Sequence, residues 1–134
     1  MYCIVLYLFC SFAAMENYIA NVEAQMRKGI LELCILNIIA AEESYPSDII
    51  LKLKESKMIV VEGTLYPLLT RLKNSGLLSY QWVESTGGPP RKYYKLTDKG
   101  EECLTELNKT WNELIFAVKK TIKKSKRNEE DSNS

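Results

Sequence analysis

The sequence predicts a mainly α-helical fold with one small β-hairpin, on three observations. In Glu62–Ser75, Leu65, Leu68, Leu69 and Leu72 fall at i, i+3, i+4 and i+7, the spacing of a single buried helical face. Directly afterwards Leu78, Tyr80 and Trp82 alternate with Ser79, Gln81 and Val83 at strand period, and Arg91–Leu96 reads as a returning strand. Further on, Leu104, Leu107, Trp111, Leu114 and Val118 are spaced three, four, three, four, which is an a/d seam on a long helix. A helix with a polar, partly basic outer face beside a basic-tipped hairpin is the pairing of recognition helix and wing in a winged helix-turn-helix. A long C-terminal dimerisation helix completes the expected architecture.

The totals set the class. At 134 residues the chain is one domain with extensions, and 46% hydrophobic with 26% charged residues is the balance of a soluble globular protein. A net charge of +1 does not by itself point to nucleic acid, so the case rests on where charge lies. Between Glu62 and Lys95, the cations Arg71, Lys73, Arg91, Lys92 and Lys95 oppose only Glu62 and Glu84, an excess of +3. Between Thr97 and Val118, Lys99 and Lys109 face five acids, an excess of −3. A basic face and an acidic arm are therefore separated along the chain.

The residue inventory argues against chemistry. There is no histidine, and Cys3, Cys10, Cys34 and Cys103 form no Cys-x-x-Cys pair, so neither a metal site nor a disulfide framework is expected. Cys34 and Cys103 lie on apolar helical stripes and read as small buried hydrophobes. No nucleophile–base pair, Gly-rich phosphate loop or carboxylate constellation stands out. The expectation is no enzyme and no cofactor.

In chain order, Met1–Ala14 is apolar and uncharged, shorter than the roughly 20 residues that span a bilayer and without the basic start of a signal peptide. The reading is an extension from an over-long gene start, with Met15 as the natural first residue. Residues 15–96 then form the DNA-binding domain, 97–125 the dimerisation helix and 126–134 a disordered polar tail. Glu16–Ala41 is the first helix of that domain, with Met26, Ile30, Leu33 and Asn37 on one stripe and Leu36, Ile38 and Ile39 widening it. Ser47 is the expected N-cap of a second helix to about Ser56, burying Ile49, Ile50 and Leu53 and turning Lys52, Lys54 and Lys57 outward.

The central helix starts at Glu62, with Pro67 near its first turn and Gly76 as its left-handed stop. Its outer face carries Thr64, Tyr66, Thr70, Arg71 and Lys73. In the wing, Thr86–Pro90 breaks regular structure, Gly87 and Gly88 giving backbone freedom and the two prolines stiffening the return to Arg91 and Lys92. Trp82 and Tyr94 read as core under the ribbon. Thr97 is an N-cap for the last helix, with Asp98, Glu101 and Glu102 in its first turn. The six cations of Lys119–Arg127 follow at its end.

The strings GTLYPLLTRL, NSGLL, GGPPRKYY and LTDKG, in this order and spacing, resemble the PadR family of bacterial transcriptional regulators. The resemblance covers about Arg27 to Ile122. It implies a cytoplasmic, dimeric winged-helix regulator, in most cases a repressor, that binds double-stranded DNA and no membrane. The expected DNA-binding residues are Ser47, Lys52, Thr64, Tyr66, Thr70, Arg71, Lys73, Gly88, Arg91, Lys92 and Tyr93. Leu104, Leu107, Trp111, Leu114 and Val118 are expected at the dimer contact. A two-fold dimer would read a pseudo-palindromic site.

The resemblance also implies a sharper role for Trp111. Some short members carry a tryptophan at the matching place, where the pair across the dimer axis lines a pocket for flat hydrophobic ligands of the multidrug or phenolic kind. A tryptophan that only fills the seam is the plain alternative. The competing function is a winged-helix module for protein interaction or dimerisation without specific DNA readout.

Overall fold

The computed structural model describes residues 1–131, with side chains as far as Ile122. Its elements run α1 (Tyr2–Ala41), α2 (Pro46–Glu55), α3 (Glu62–Asn74), β1 (Leu78–Ser85), β2 (Gly88–Leu96) and α4 (Asp98–Asp131). This is the expected mostly helical chain with a two-stranded antiparallel hairpin and a long C-terminal helix. The core gathers Leu31, Ile35, Leu36 and Ile39 of α1 with Ile49 and Leu53 of α2. Leu65, Leu69 and Leu72 of α3, and Leu78, Tyr94 and Leu104 from the hairpin and α4, close it.

α1 departs from expectation in two ways. It does not begin at Glu16 but runs unbroken from Tyr2, because the uncharged run before it contains no glycine or proline to stop a helix. Over that extension Ile4, Val5, Leu6, Phe9 and Phe12 are all exposed, and by length and composition alone the helix contains a stretch able to cross a membrane. Second, the buried stripe is Leu31, Ile35 and Ile39, not Met26, Ile30, Leu33 and Asn37. Met26 is exposed. Asn37 instead faces α4, where its side-chain amide and that of Asn108 donate to each other's oxygens at 3.1 Å.

The cap of α2 falls two residues before the expected Ser47. Pro46 takes the first helical position, where its fixed φ suits the helix and its missing N–H costs nothing. Tyr45 is the capping residue, and its backbone N–H donates to the Asp48 carboxylate at 3.2 Å. Ile49 and Leu53 are buried as expected, with Ile50 half-buried. Just before α2, Ser44 exchanges two backbone hydrogen bonds with Tyr94, adding a one-residue third strand to the hairpin.

In α3 the leucine stripe is as read, with Leu68 at its half-buried edge. Pro67 lies inside the helix, a turn deeper than its sequence reading, so the Gly63 carbonyl four residues back has no amide to accept from. Both residues are exposed, which leaves that carbonyl to water. Gly76, at φ 79°, stops the helix as expected.

The α3 stop and the α4 start are built as one joint. The Thr97 hydroxyl accepts from the Gly100 N–H at 3.0 Å, the expected N-cap, and donates to the Gly76 carbonyl at 2.6 Å. The Lys99 ammonium donates to the Ser75 carbonyl at 2.9 Å, meeting the negative end of the α3 dipole. Gly100 is buried against the Leu77 carbonyl, and a Cβ there would run into that oxygen. The LTDKG string is thus explained by packing.

In the hairpin, Leu78 pairs Leu96, Tyr80 pairs Tyr94 and Trp82 pairs Lys92, with the register slipping between Val83 and Ser85. The returning strand starts at Gly88, before both prolines and earlier than Arg91. Pro89 and Pro90 are accommodated because they fall in the slipped part of the ladder, where no N–H is needed. Gly87, at φ 93°, makes the turn. α4 continues to Asp131, past the expected end at 125. Side chains from 123 onward, including four of the six cations of the basic run, and residues 132–134 lie outside the described residues.

Candidate nucleic-acid interface

One face of the molecule interleaves aromatic rings with cations. A groove there is walled by Pro46 and Ser47 at the start of α2, by Tyr66 on α3, and by Trp82, Pro90, Arg91 and Lys92 of the hairpin. Tyr66 reaches it because it lies off the leucine stripe, and it is 48% exposed. Lys92 holds its ammonium 4.5 Å from the Tyr80 ring centre and 5.4 Å from that of Trp82, while Lys73 approaches Tyr80 from α3 at 5.8 Å. The end of α3 and the hairpin thus present positive charge side by side.

Arg91 is fixed rather than free. Its guanidinium donates to the Ser47 hydroxyl at 2.6 Å and lies 4.3 Å from the Tyr45 ring centre. Ser47 is therefore brought to the groove by its contact with Arg91, not by the N-cap role read for it. On the same face of the hairpin as Arg91, Tyr93 packs on Tyr45 with ring centres 4.8 Å apart. Burial, then the nearby Glu43 and Glu42 carboxylates, push the Tyr93 hydroxyl pKa above its ordinary value. Tyr93 supports Tyr45 and so Arg91, and it does not line the groove.

Several other expected contacts are engaged elsewhere. Lys52 is paired with Glu42 at 3.1 Å. Arg71 is ion-paired with Glu32 of α1. Thr70 donates its hydroxyl back to the Tyr66 carbonyl at 3.0 Å. Thr64, two residues from Tyr66 and so nearly opposite on the helix, edges an apolar cleft with Leu31 of α1 and Met58. Gly88 sits at the wing turn, where a Cβ would come close to the Ser85 hydroxyl.

Trp82 is the residue that sequence reasoning missed. Read as core, it is 62% exposed, because the buried part of the hairpin ends at the Tyr80–Tyr94 rung. The only signal in the sequence was its register with a lysine at the outer end of the strand pair. Tyr94 is buried as expected.

On α4, Leu104 is not part of an open seam: it is buried in the domain's own core, with Leu107 packed against that core. Trp111, at 37% exposed, then Leu114 and Val118, present apolar surface beyond it. Cys34 and Cys103 are half-buried, and burial pushes the Cys34 thiol pKa up. That leaves Cys34 a protonated packing group at neutral pH.

Residues 35–106 match the model of the transcriptional regulator PadR-like family. A PadR-like transcription factor from Bacteroides fragilis is 67% identical, covering 73% of this chain and 95% of its own, with a TM-score of 0.64. A PadR family transcriptional regulator from Eggerthella lenta is 31% identical, covering 81% and 96%, with a TM-score of 0.75. Bacillus subtilis PadR, solved in complex with operator DNA, is 25% identical with a TM-score of 0.55, the match covering 58% of this chain and 46% of that one.

Proposed function

The chain belongs to the PadR-like transcriptional regulator family, whose members are regulators and not enzymes, and on that premise we propose that it is a homodimeric repressor acting on promoter DNA in the cytoplasm. The observation that carries the DNA reading is the aromatic and basic groove between α3 and the hairpin. Tyr66 offers a side chain to base edges, and Arg91 and Lys92 offer charge to the backbone. Arg91 suits this task because its guanidinium is already oriented by Ser47 and Tyr45, so little freedom is lost on binding. The related protein bound to operator DNA supports the same reading.

The dimer rests on α4. Its Trp111, Leu114 and Val118 face solvent in a single chain, and a second copy would cover them. Two-fold pairing would set the recognition helices about 34 Å apart, one turn of DNA, on a pseudo-palindromic site. Trp111, at the edge of that surface, would meet a planar hydrophobic ligand between the two copies, and such a ligand would release the operator. In this division residues 15–96 bind DNA and 97–125 dimerise.

The test is titration of the protein's own upstream DNA against random duplex of equal length at several salt concentrations. Preferential binding to the upstream DNA is the expected outcome, with affinity falling steeply as salt rises. Equal binding to both, or none to either, would favour a winged-helix module that docks protein.

A further inference from the structure

Trp82 has no role in the reading above, and its surroundings supply one. Its ring meets Tyr80 edge-on at 5.9 Å, and the Lys92 ammonium lies beside both rings, yet Trp82 is 62% exposed and lines the groove. A core residue would be covered; this one overhangs the core by one rung. Resting on the DNA-binding reading, we propose that Trp82 and Lys92 form a backbone clamp, with the indole face against a deoxyribose and the Lys92 ammonium on an adjoining phosphate.

The chemistry favours backbone over base edge. An indole has one N–H donor and no acceptor, so it can serve a phosphate oxygen but cannot match the paired donor and acceptor pattern of a base edge. A lysine is a point charge suited to phosphate. Tyr80 and Trp82 hold that charge by their ring faces, so it meets the DNA in a set position. The pair therefore adds affinity on any sequence, while Tyr66 on α3 lies where bases can be read. Trp82 is also distinct from Arg91, which is held by α2.

The experiment uses the full chain and a dye-labelled duplex, so that dye anisotropy reports DNA binding independently of tryptophan. In a Trp111→Phe protein Trp82 is the remaining tryptophan, and its access to acrylamide is followed as DNA is added. In the Trp111-containing protein, Trp82→Ala, Lys92→Ala and the double variant are compared on upstream and random duplexes. Protection of Trp82 in the bound state is expected. Each single variant should lose about tenfold in affinity on both duplexes, and Lys92→Ala should also lower the salt slope by about one. The double variant should lose less than the two single losses combined, because the Trp82 ring also places the Lys92 ammonium.

Unchanged thermal unfolding of Trp82→Ala would keep a folding defect out of the comparison, as would rescue of affinity by Trp82→Phe, which retains a flat ring. DNA binding by anisotropy with Trp82 still open to acrylamide overturns the clamp and leaves the DNA reading intact. Loss of affinity on the upstream duplex alone also overturns it, since that is base readout. No anisotropy change on either duplex with the unsubstituted protein overturns both.

Discussion

Arg91 shows how a side chain becomes useful by being held. Its Ser47 hydrogen bond and its place over the Tyr45 ring come from α2, not from the flexible tip that the Gly-Pro run suggests. Tyr45→Ala should therefore weaken DNA binding about threefold by loosening Arg91, although Tyr45 itself is not asked to touch DNA. Lys52→Ala, which removes a partner of Glu42 and not a groove residue, should leave affinity within about twofold, on the scale of an exposed ion pair. Anisotropy titrations of the two variants at one salt concentration distinguish a held arginine from general loss of positive charge.

Gly100 makes the opposite point, because it matters by having no side chain. A methyl group there meets the Leu77 carbonyl, so Gly100→Ala must open the joint between α3 and α4. The expected cost is about 2 kcal/mol, the scale of overpacking a tight site, read from the shift in a denaturant midpoint at unchanged slope. Gly63→Ala, where nothing lies within 4 Å, is the matched control and should not destabilise.

Among the elements, α4 divides into two jobs along its length. Its first turns are anchored by Thr97 and Gly100 and bury Leu104 in the core, while Trp111, Leu114 and Val118 beyond them are exposed. Leu114→Glu should thus convert a dimer to a monomer in sedimentation while leaving the circular dichroism of the folded domain in place. Leu104→Glu should unfold the domain, since it would bury a charge among apolar side chains. The same helix gives two different failures, and that contrast locates where the core ends and the proposed interface begins.

α3 is tied to α1 by the Arg71–Glu32 ion pair, and to the hairpin by the Lys73 contact with Tyr80. α3 is therefore connected both to α1 and to the wing hairpin.

For the molecule as a whole, pH should act through buried phenols. Burial, then the neighbouring Tyr80 and Tyr66 hydroxyls, raise the Tyr94 pKa above its ordinary value. The folded state thus holds that proton more tightly than the unfolded chain does. Its contribution is fully present below the unfolded pKa of about 10 and is lost as pH rises through the folded value. Alkaline unfolding is expected above about pH 10, and Tyr94→Phe should flatten that part of the stability curve. Urea midpoints measured from pH 8 to 11 would decide it.

The sequence by itself determined what depends on near neighbours. The leucine stripe of α3, the Gly76 stop, the Thr97 cap and the alternation that buries Leu78 and Tyr94 are all set by residues a few positions apart. The family strings added the winged-helix architecture. Where one element packs on another was decided only in three dimensions. Asp48 and Pro46 moved the α2 start off Ser47, α4 drew Asn37 out of the core, and Glu32 claimed Arg71. Strand period put Trp82 on the inner face correctly, but how far the core extends beneath that face depends on α3 and α2, many residues away. Period tells a side chain which way to point, and packing decides whether anything is there to meet it.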